Sequence, residues 1–315
     1  MARGGRDSPL PHPPRERRPL IRYRWGLGTL ACVLSVAHPL PAQDSVPTVA
    51  VVRSEPEPLL QGTVGWLLVR TPQAKLTGGF AAGEPIHFDS VADTEYRGLV
   101  GAPLDVPDSI SVMLFLTRDD RVDTVQASVA VAPGGYPHET ITVAPGFAKP
   151  NAAAAARIQR ENARSRQVSL ASRDRPRLWS GPFQVPRAAR TTSVFGAARV
   201  YNGEVKSRHT GTDFAGAVGA PVAAAGRGIV ALVADFYLAG RAVYIDHGGG
   251  LVTAYFHLSR ADVTQGDTVA AGQRIGAVGQ SGRVTGPHLH WVARYGVISV
   301  DPMSLLKLDS VRGGE

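Results

Sequence analysis

Short apolar or alternating runs, each stopped by glycine, proline or aspartate, recur along most of the chain and direct it towards β structure. Upstream lie Thr48–Val52, Thr63–Arg70, Ile110–Leu116, Val122–Val131 and Glu139–Val143. Downstream lie Gly228–Ala234, Arg241–Asp246, Leu251–His257, Gln273–Val278 and His288–Tyr295. Successive side chains of a strand point to opposite faces, so runs of this length bounded by turn residues read as half-buried strands. The upstream set implies an immunoglobulin-like β-sandwich over residues 44–147. The downstream set implies an antiparallel β-sheet domain over residues 191–308, with His247–Gly250 turning a hairpin between its second and third strands. The expected fold class is therefore mainly β.

One stretch breaks that pattern. Asn151 precedes five consecutive alanines, an N-cap followed by the best helix former, which predicts a helix over Ala152–Val168. Its scarcity of apolar side chains argues for a solvated connector. The Arg- and Pro-rich stretch Ser172–Arg190 continues as irregular linker, so the connector spans residues 148–190. At 43% hydrophobic and 19% charged the chain is globular, with a length that suits about two domains.

The downstream region concentrates the chemistry. In Gly286-Pro287-His288-Leu289-His290-Trp291 the two histidines stand one residue apart, on the same side of a strand. His209 and Asp213 are four apart, again on one side of an extended segment. A His-x-His in a β-rich protein is commonly only a hydrogen-bonded pair. Three protein ligands with a fourth position open make a catalytic metal site, however, and His209, Asp213 and His290 could supply them. Thr253-Ala254-Tyr255-Phe256-His257-Leu258 adds a histidine near a strand end, a further acid or base.

The H-x-x-x-D at 209–213, the Y-x-H-L at 255–258 and the G-P-H-L-H at 286–290 resemble, in that order, the lysostaphin-type (LytM-like) zinc metalloendopeptidases. The glycine-rich scaffold matches too, in Gly219-Ala220-Pro221-Val222, Ile245-Asp246-His247-Gly248, Gly266-Asp267-Thr268-Val269, Gly272-Gln273 and Ile275-Gly276. The resemblance covers Phe195 to Leu306. It implies a Zn2+ cofactor held by His209, Asp213 and His290, with His257 and His288 as the two non-ligand histidines of the reaction centre. It also implies peptidoglycan stem peptides as substrate, with D-alanyl to meso-diaminopimelate bonds the commoner target. Thr192–Gly203 resembles the family's S-x-F-G-x-R lead-in, but two alanines rather than one separate Gly196 from Arg199, which leaves the carry-over of that arginine open. Tyr201 and Asn202 either border the cleft or shape a turn. Gln280–Gly286 is expected to wall the groove, where Arg283 either meets a substrate carboxylate or is a solvated loop residue.

Competing readings remain. Relatives that lose metal ligands act as non-catalytic binding or hydrolase-activating modules, but here no ligand is missing. A secreted peptidase acting on proteins would share every catalytic residue. The G-D-x-V-x-x-G-Q of Gly266–Gln273 echoes a biotinyl carrier hairpin, which needs a lysine at its turn; none occurs between Lys206 and Lys307.

The N-terminus reads as a secretory leader over residues 1–42: arginine-rich to Arg24, apolar from Trp25 to Ala37, and closed by Leu40-Pro41-Ala42. The apolar run falls short of the ~20 residues a membrane helix requires. Left uncleaved, it would serve as an N-terminal membrane anchor. Export to the periplasm or cell envelope is expected. Cys32, the single cysteine, lies in that run, so a cleaved protein has neither disulfides nor thiol chemistry. The formal net charge of +8 invites a nucleic-acid partner, but residues 1–42 hold seven arginines against Asp7 and Glu16, and the remainder is close to balance. No nucleic-acid partner is expected. Residues 309–315 read as a tail.

Overall fold

A computed structural model describes residues 50–203 and 205–308. The leader at 1–42 and the tail at 309–315 lie outside the described residues. Strands dominate, and they build two regions.

Upstream, a four-stranded sheet runs in the order Val51–Glu55, Val64–Arg70, Glu95–Gly101, Phe88–Ala92. A five-stranded sheet runs Leu59–Leu60, Arg121–Ala132, Ser109–Arg118, Lys75–Ala81, Glu84–Pro85. The alternation read from sequence is visible in Ser109–Arg118, where Ile110, Val112, Leu114 and Leu116 turn inward. They meet Leu67, Val69 and Val100 of the other sheet in one core.

Downstream, a ten-stranded sheet carries the path Thr191–Ser193, Thr212–Ala215, His288–Tyr295, Leu251–Ala261, Gly240–Gly248, Gly228–Phe236, Thr268–Val269. Its central hairpin turns at Gly249 and Gly250, whose φ values of +59° and +82° suit glycine. His247 is therefore a strand residue and not the turn residue expected from sequence. It is fully buried, with Nδ1 donating to Arg227 O (2.8 Å) and Nε2 accepting from Thr253 Oγ1 (2.8 Å). Burial pushes its imidazole down to about 4.

The helix forms where its N-cap predicts: the Asn151 side chain accepts from Ala154 N, and the helix runs Ala152–Ser172. It is not, however, a solvated connector. Ser165, Ser169 and Ser172 are buried against the downstream sheet. Arg294 Nη1 donates to Ser165 Oγ (2.9 Å), and Ser172 Oγ donates to Asp246 Oδ1 (2.6 Å). Serine side chains are small enough to let the backbone approach closely, and those of Ser165 and Ser172 are satisfied by these bonds, so the docking face carries no hydropathy signal.

The following linker is irregular but anchored. Trp179 and Phe183 are buried, their ring centroids 4.9 Å apart, and Trp179 lies 6.0 Å from Trp66 of the upstream region. Val64, Trp66 and Leu99 thereby join the core of the downstream sheet. Glu84 reinforces the contact, accepting from Arg173 Nη2 (2.7 Å) and Val297 N (2.9 Å). No helix among the described residues is long and apolar enough to cross a membrane.

Candidate metal centre

Antiparallel pairing of Thr212–Ala215 with His288–Tyr295 sets Asp213 directly opposite His290. Directly opposed residues project to the same face of a sheet. His209 enters from the preceding segment, its backbone N–H bonded to Ala197 O (2.9 Å) and its carbonyl to Gly196 N (2.7 Å). Between them the chain must pass close under His290: a Cβ at Gly211 would lie 2.5 Å from Trp291 O and 2.6 Å from His290 Cε1. Only glycine fits there.

Three donor atoms converge as a result. His209 Nε2 lies 3.1 Å from Asp213 Oδ1 and 3.0 Å from His290 Nδ1, and those two are 2.6 Å apart. The tautomer of His209 follows from its other nitrogen, which lies 2.8 Å from Val194 O, a pure acceptor. Nδ1 thus carries the proton, and Nε2 aims a lone pair at the Asp213 oxygen. Protons cannot satisfy all three contacts at once, whereas a single cation among three lone pairs can. The donor set, two imidazoles and a carboxylate, suits zinc. Burial raises the Asp213 carboxyl, but His290 and His209 outweigh it and hold it well below the usual carboxylate range.

Two further histidines face this centre. The pairing of Gly240–Gly248 with Leu251–Ala261 slips between Arg241 and Val243, so Phe256 and His257 form a bulge opposite Ala242. His257 sits there at φ +61°, a conformation that a non-glycine residue adopts at a cost. Its Nδ1 donates to Ser281 O (2.8 Å), and His288 Nδ1 donates to Gly286 O (2.8 Å). Both therefore keep a lone pair on Nε2. The His257 and His288 rings are 5.0 Å apart, and His288 Nε2 is 3.8 Å from Asp213 Oδ1. Burial, with His290 and His288 adding to it, pushes His257 down to about 3, so it is neutral at neutral pH.

The centre opens into a cavity of about 830 Å3. Arg283 and Tyr201 both line it, with the guanidinium 4.4 Å from the ring centroid. Val284, Thr285 and Gly286 continue the wall expected from Gln280–Gly286. Asn202 has φ +52° and engages Val143 through both ends of its amide, Val143 N to Oδ1 and Nδ2 to Val143 O, each 2.9 Å. That is the turn-forming alternative for Asn202.

Sequence reasoning left out the opposite wall. Glu139, Ile141 and Val143 line the cavity, as do Ile158, Glu161 and Ser165 of the helix. It also left out Arg199, whose Nη2 donates to Asp213 Oδ2 (2.9 Å), leaving Oδ1 to the centre. The lead-in motif was the available signal for Arg199. The upstream wall had none, because its residues are distant in sequence from the motifs.

Residues 207–302 match the family model described as Peptidase family M23. This part of the chain belongs to that family. The resemblance carried by the three histidine motifs is thereby borne out. The chain is 49% identical over 83 residues to the peptidoglycan DD-endopeptidase ShyA of Vibrio cholerae, which is 26% of this chain and 19% of that one. Over 97 residues it is 43% identical to the DD-carboxypeptidase/endopeptidase Mpg of Neisseria meningitidis, 31% of this chain and 22% of that one. The chain thus spans about a fifth of the length of the curated relatives it matches. A solved M23 peptidase from Pseudomonas aeruginosa aligns with a TM-score of 0.61 at 26% identity, over 79% of this chain and 95% of that one. That alignment extends well beyond the M23 region.

Proposed function

We propose that this protein is a zinc-dependent endopeptidase that hydrolyses peptide cross-links of peptidoglycan in the cell envelope, with D-alanyl to meso-diaminopimelate bonds as its target. The observation that carries the reading is the convergence of His209 Nε2, Asp213 Oδ1 and His290 Nδ1 beside two histidines with free Nε2 atoms, at the floor of a cleft. The names of the M23 relatives, a DD-endopeptidase and a DD-carboxypeptidase/endopeptidase, support the bond class.

Zinc held by the three ligands would supply Lewis acidity to the scissile carbonyl and acidify water from a pKa of about 15.7 towards about 7. His257, kept neutral by burial, accepts the proton from the attacking water at Nε2. That proton then passes to the leaving amine through Nε2 of His288, whose ring lies 5.0 Å from that of His257 on the cleft side. Arg199 holds Asp213 by Oδ2 so that Oδ1 stays directed at the centre. Arg283, stacked on Tyr201, offers a cation to a substrate carboxylate.

The non-catalytic alternative is disfavoured because all five motif residues are present and meet in one cleft. We read the upstream pair of sheets as an immunoglobulin-like sandwich spanning 44–147, followed by the connector 148–190 and the peptidase domain 191–308, with residues 1–42 as an export leader.

The test is direct. The purified protein is assayed for bound metal, then given intact peptidoglycan and soluble cross-linked fragments, with and without chelator, beside His290→Ala. Chelator-sensitive release of uncross-linked stem peptides, absent in the variant, is expected, and mass identifies the bond. Metal uptake with no release from any wall substrate, but with cleavage of an unrelated protein, would replace this reading by a general peptidase.

A further inference from the structure

Two carboxylates that line the cleft, Glu139 and Glu161, belong to no motif and lie outside the M23 match, and Glu139 is the one that reaches the metal centre's support. Glu139 belongs to the strand His138–Ile141, upstream of the helix, which pairs in parallel with Ala198–Tyr201 and so sets Glu139 beside Arg199. Glu139 Oε2 accepts from Arg199 Nε (2.9 Å), and Oε1 accepts from Ser193 Oγ (2.7 Å). Arg199 is thereby held between two carboxylates, Nε on Glu139 and Nη2 on Asp213 Oδ2 (2.9 Å). Ser193 Oγ in turn lies 3.1 Å from His209 Nδ1. Both Arg199 and Glu139 are largely shielded from water.

We infer that Glu139 is a positioning residue of the metal centre: it turns Arg199 so that the guanidinium binds only the outer oxygen of Asp213 and leaves the inner one to the ion. The reason lies in guanidinium geometry. Its planar fork prefers to engage both oxygens of one carboxylate, and a second carboxylate on Nε ties up one edge of that fork. Without Glu139, Arg199 is free to take Asp213 Oδ1 and Oδ2 together and becomes a competitor of the cation. A strand that precedes the helix in sequence is then part of the metal site's outer support. Such outer partners are worth about 10- to 100-fold in metal affinity.

The inference rests on the metal reading above, and the experiment separates the two. In the full chain, zinc affinity is measured by competition with a chromogenic chelator for wild type, Glu139→Gln, Arg199→Gln and the double variant. Glutamine retains an acceptor for Ser193 and removes the charge that holds Arg199. Glu139→Gln is expected to bind zinc about 10- to 100-fold more weakly than wild type. In the Arg199→Gln background the same change is expected to add little, because the competitor is already gone. A merely structural role would lower the melting temperature of all forms without this non-additivity.

Unchanged affinity in Glu139→Gln, or an equal loss in both backgrounds, overturns the inference while leaving the metal reading intact. Wild type that takes up no zinc overturns the metal reading itself. Should Glu139→Gln fail to fold, Arg199→Lys provides the second measurement. It keeps the charge but cannot span two carboxylates, so a weakening of similar size is expected, and wild-type affinity would overturn the inference.

Discussion

Two hairpins of the same molecule show how regular and irregular pairing divide its labour. In the upstream region Ser109–Arg118 pairs with Arg121–Ala132 in unbroken register from Ser109 opposite Ala130 to Arg118 opposite Arg121. Every second residue feeds the core. In the downstream sheet the hairpin of Gly240–Gly248 with Leu251–Ala261 slips at Arg241/Val243, and the slip lifts His257 into the left-handed region beside the metal centre. The regular hairpin gives up no packing and carries no chemistry. The irregular one accepts a backbone cost and aims an imidazole at the cleft, a trade expected at functional sites.

If that contrast is right, damage to the two regions should read out differently. The largest effect is expected at the centre: Asp213→Ala removes one ligand and leaves Arg199 with Glu139 as its remaining carboxylate, so stoichiometric metal and turnover should both be lost while the far-ultraviolet circular dichroism of the sheet persists. Next comes His257→Ala, expected to keep the metal and lose about 10²- to 10⁴-fold in kcat; metal loss in this variant would refute its non-ligand role. By contrast, Leu114→Ala in the regular hairpin should cost about 2–5 kcal/mol of stability in urea unfolding, with zinc affinity unchanged at temperatures where the protein is folded.

Smaller but more pointed is the pH response of His247. Its folded value of about 4 lies below the unfolded value of about 6.5, so the unfolded chain takes up a proton that the native one refuses. Its contribution is whole above pH ~6.5 and falls away as pH drops towards ~4, up to about 3 kcal/mol. His247→Gln should flatten that part of the stability profile; an unaltered profile would assign the loss to other groups. The smallest effect tests the strain itself. His257→Gly should be more stable than His257→Ala by about 1 kcal/mol, because glycine adopts φ +61° freely.

Much of the fold was legible because it is periodic. The run His288–Tyr295 was read with the bounds the strand has, and the helix start at Ala152 was announced by Asn151. The helix's docking was not legible, since Ser165, Ser169 and Ser172 look polar in sequence and are buried through small size, with hydrogen bonds at Ser165 and Ser172. His247 was misplaced for a related reason: Gly248–Gly250 marks a turn, but three glycines do not say where the strand ends. The anchoring of Trp179 on Trp66 joins residues too far apart in sequence for any local pattern to show.

The sequence by itself determined which residue types could do the chemistry. His209, Asp213, His257, His288 and His290 are named by their motifs, because few side chains bind a metal or move protons near neutrality and a strand's period of two puts near neighbours on one face. Only the tertiary structure decided how they face one another: the register that opposes Asp213 to His290, the bulge that lifts His257, and the Glu139 and Arg199 support brought from outside the motifs. Those depend on contacts between distant segments, where the energy of packing and pairing is spread over many residues and leaves no periodic trace in any one of them.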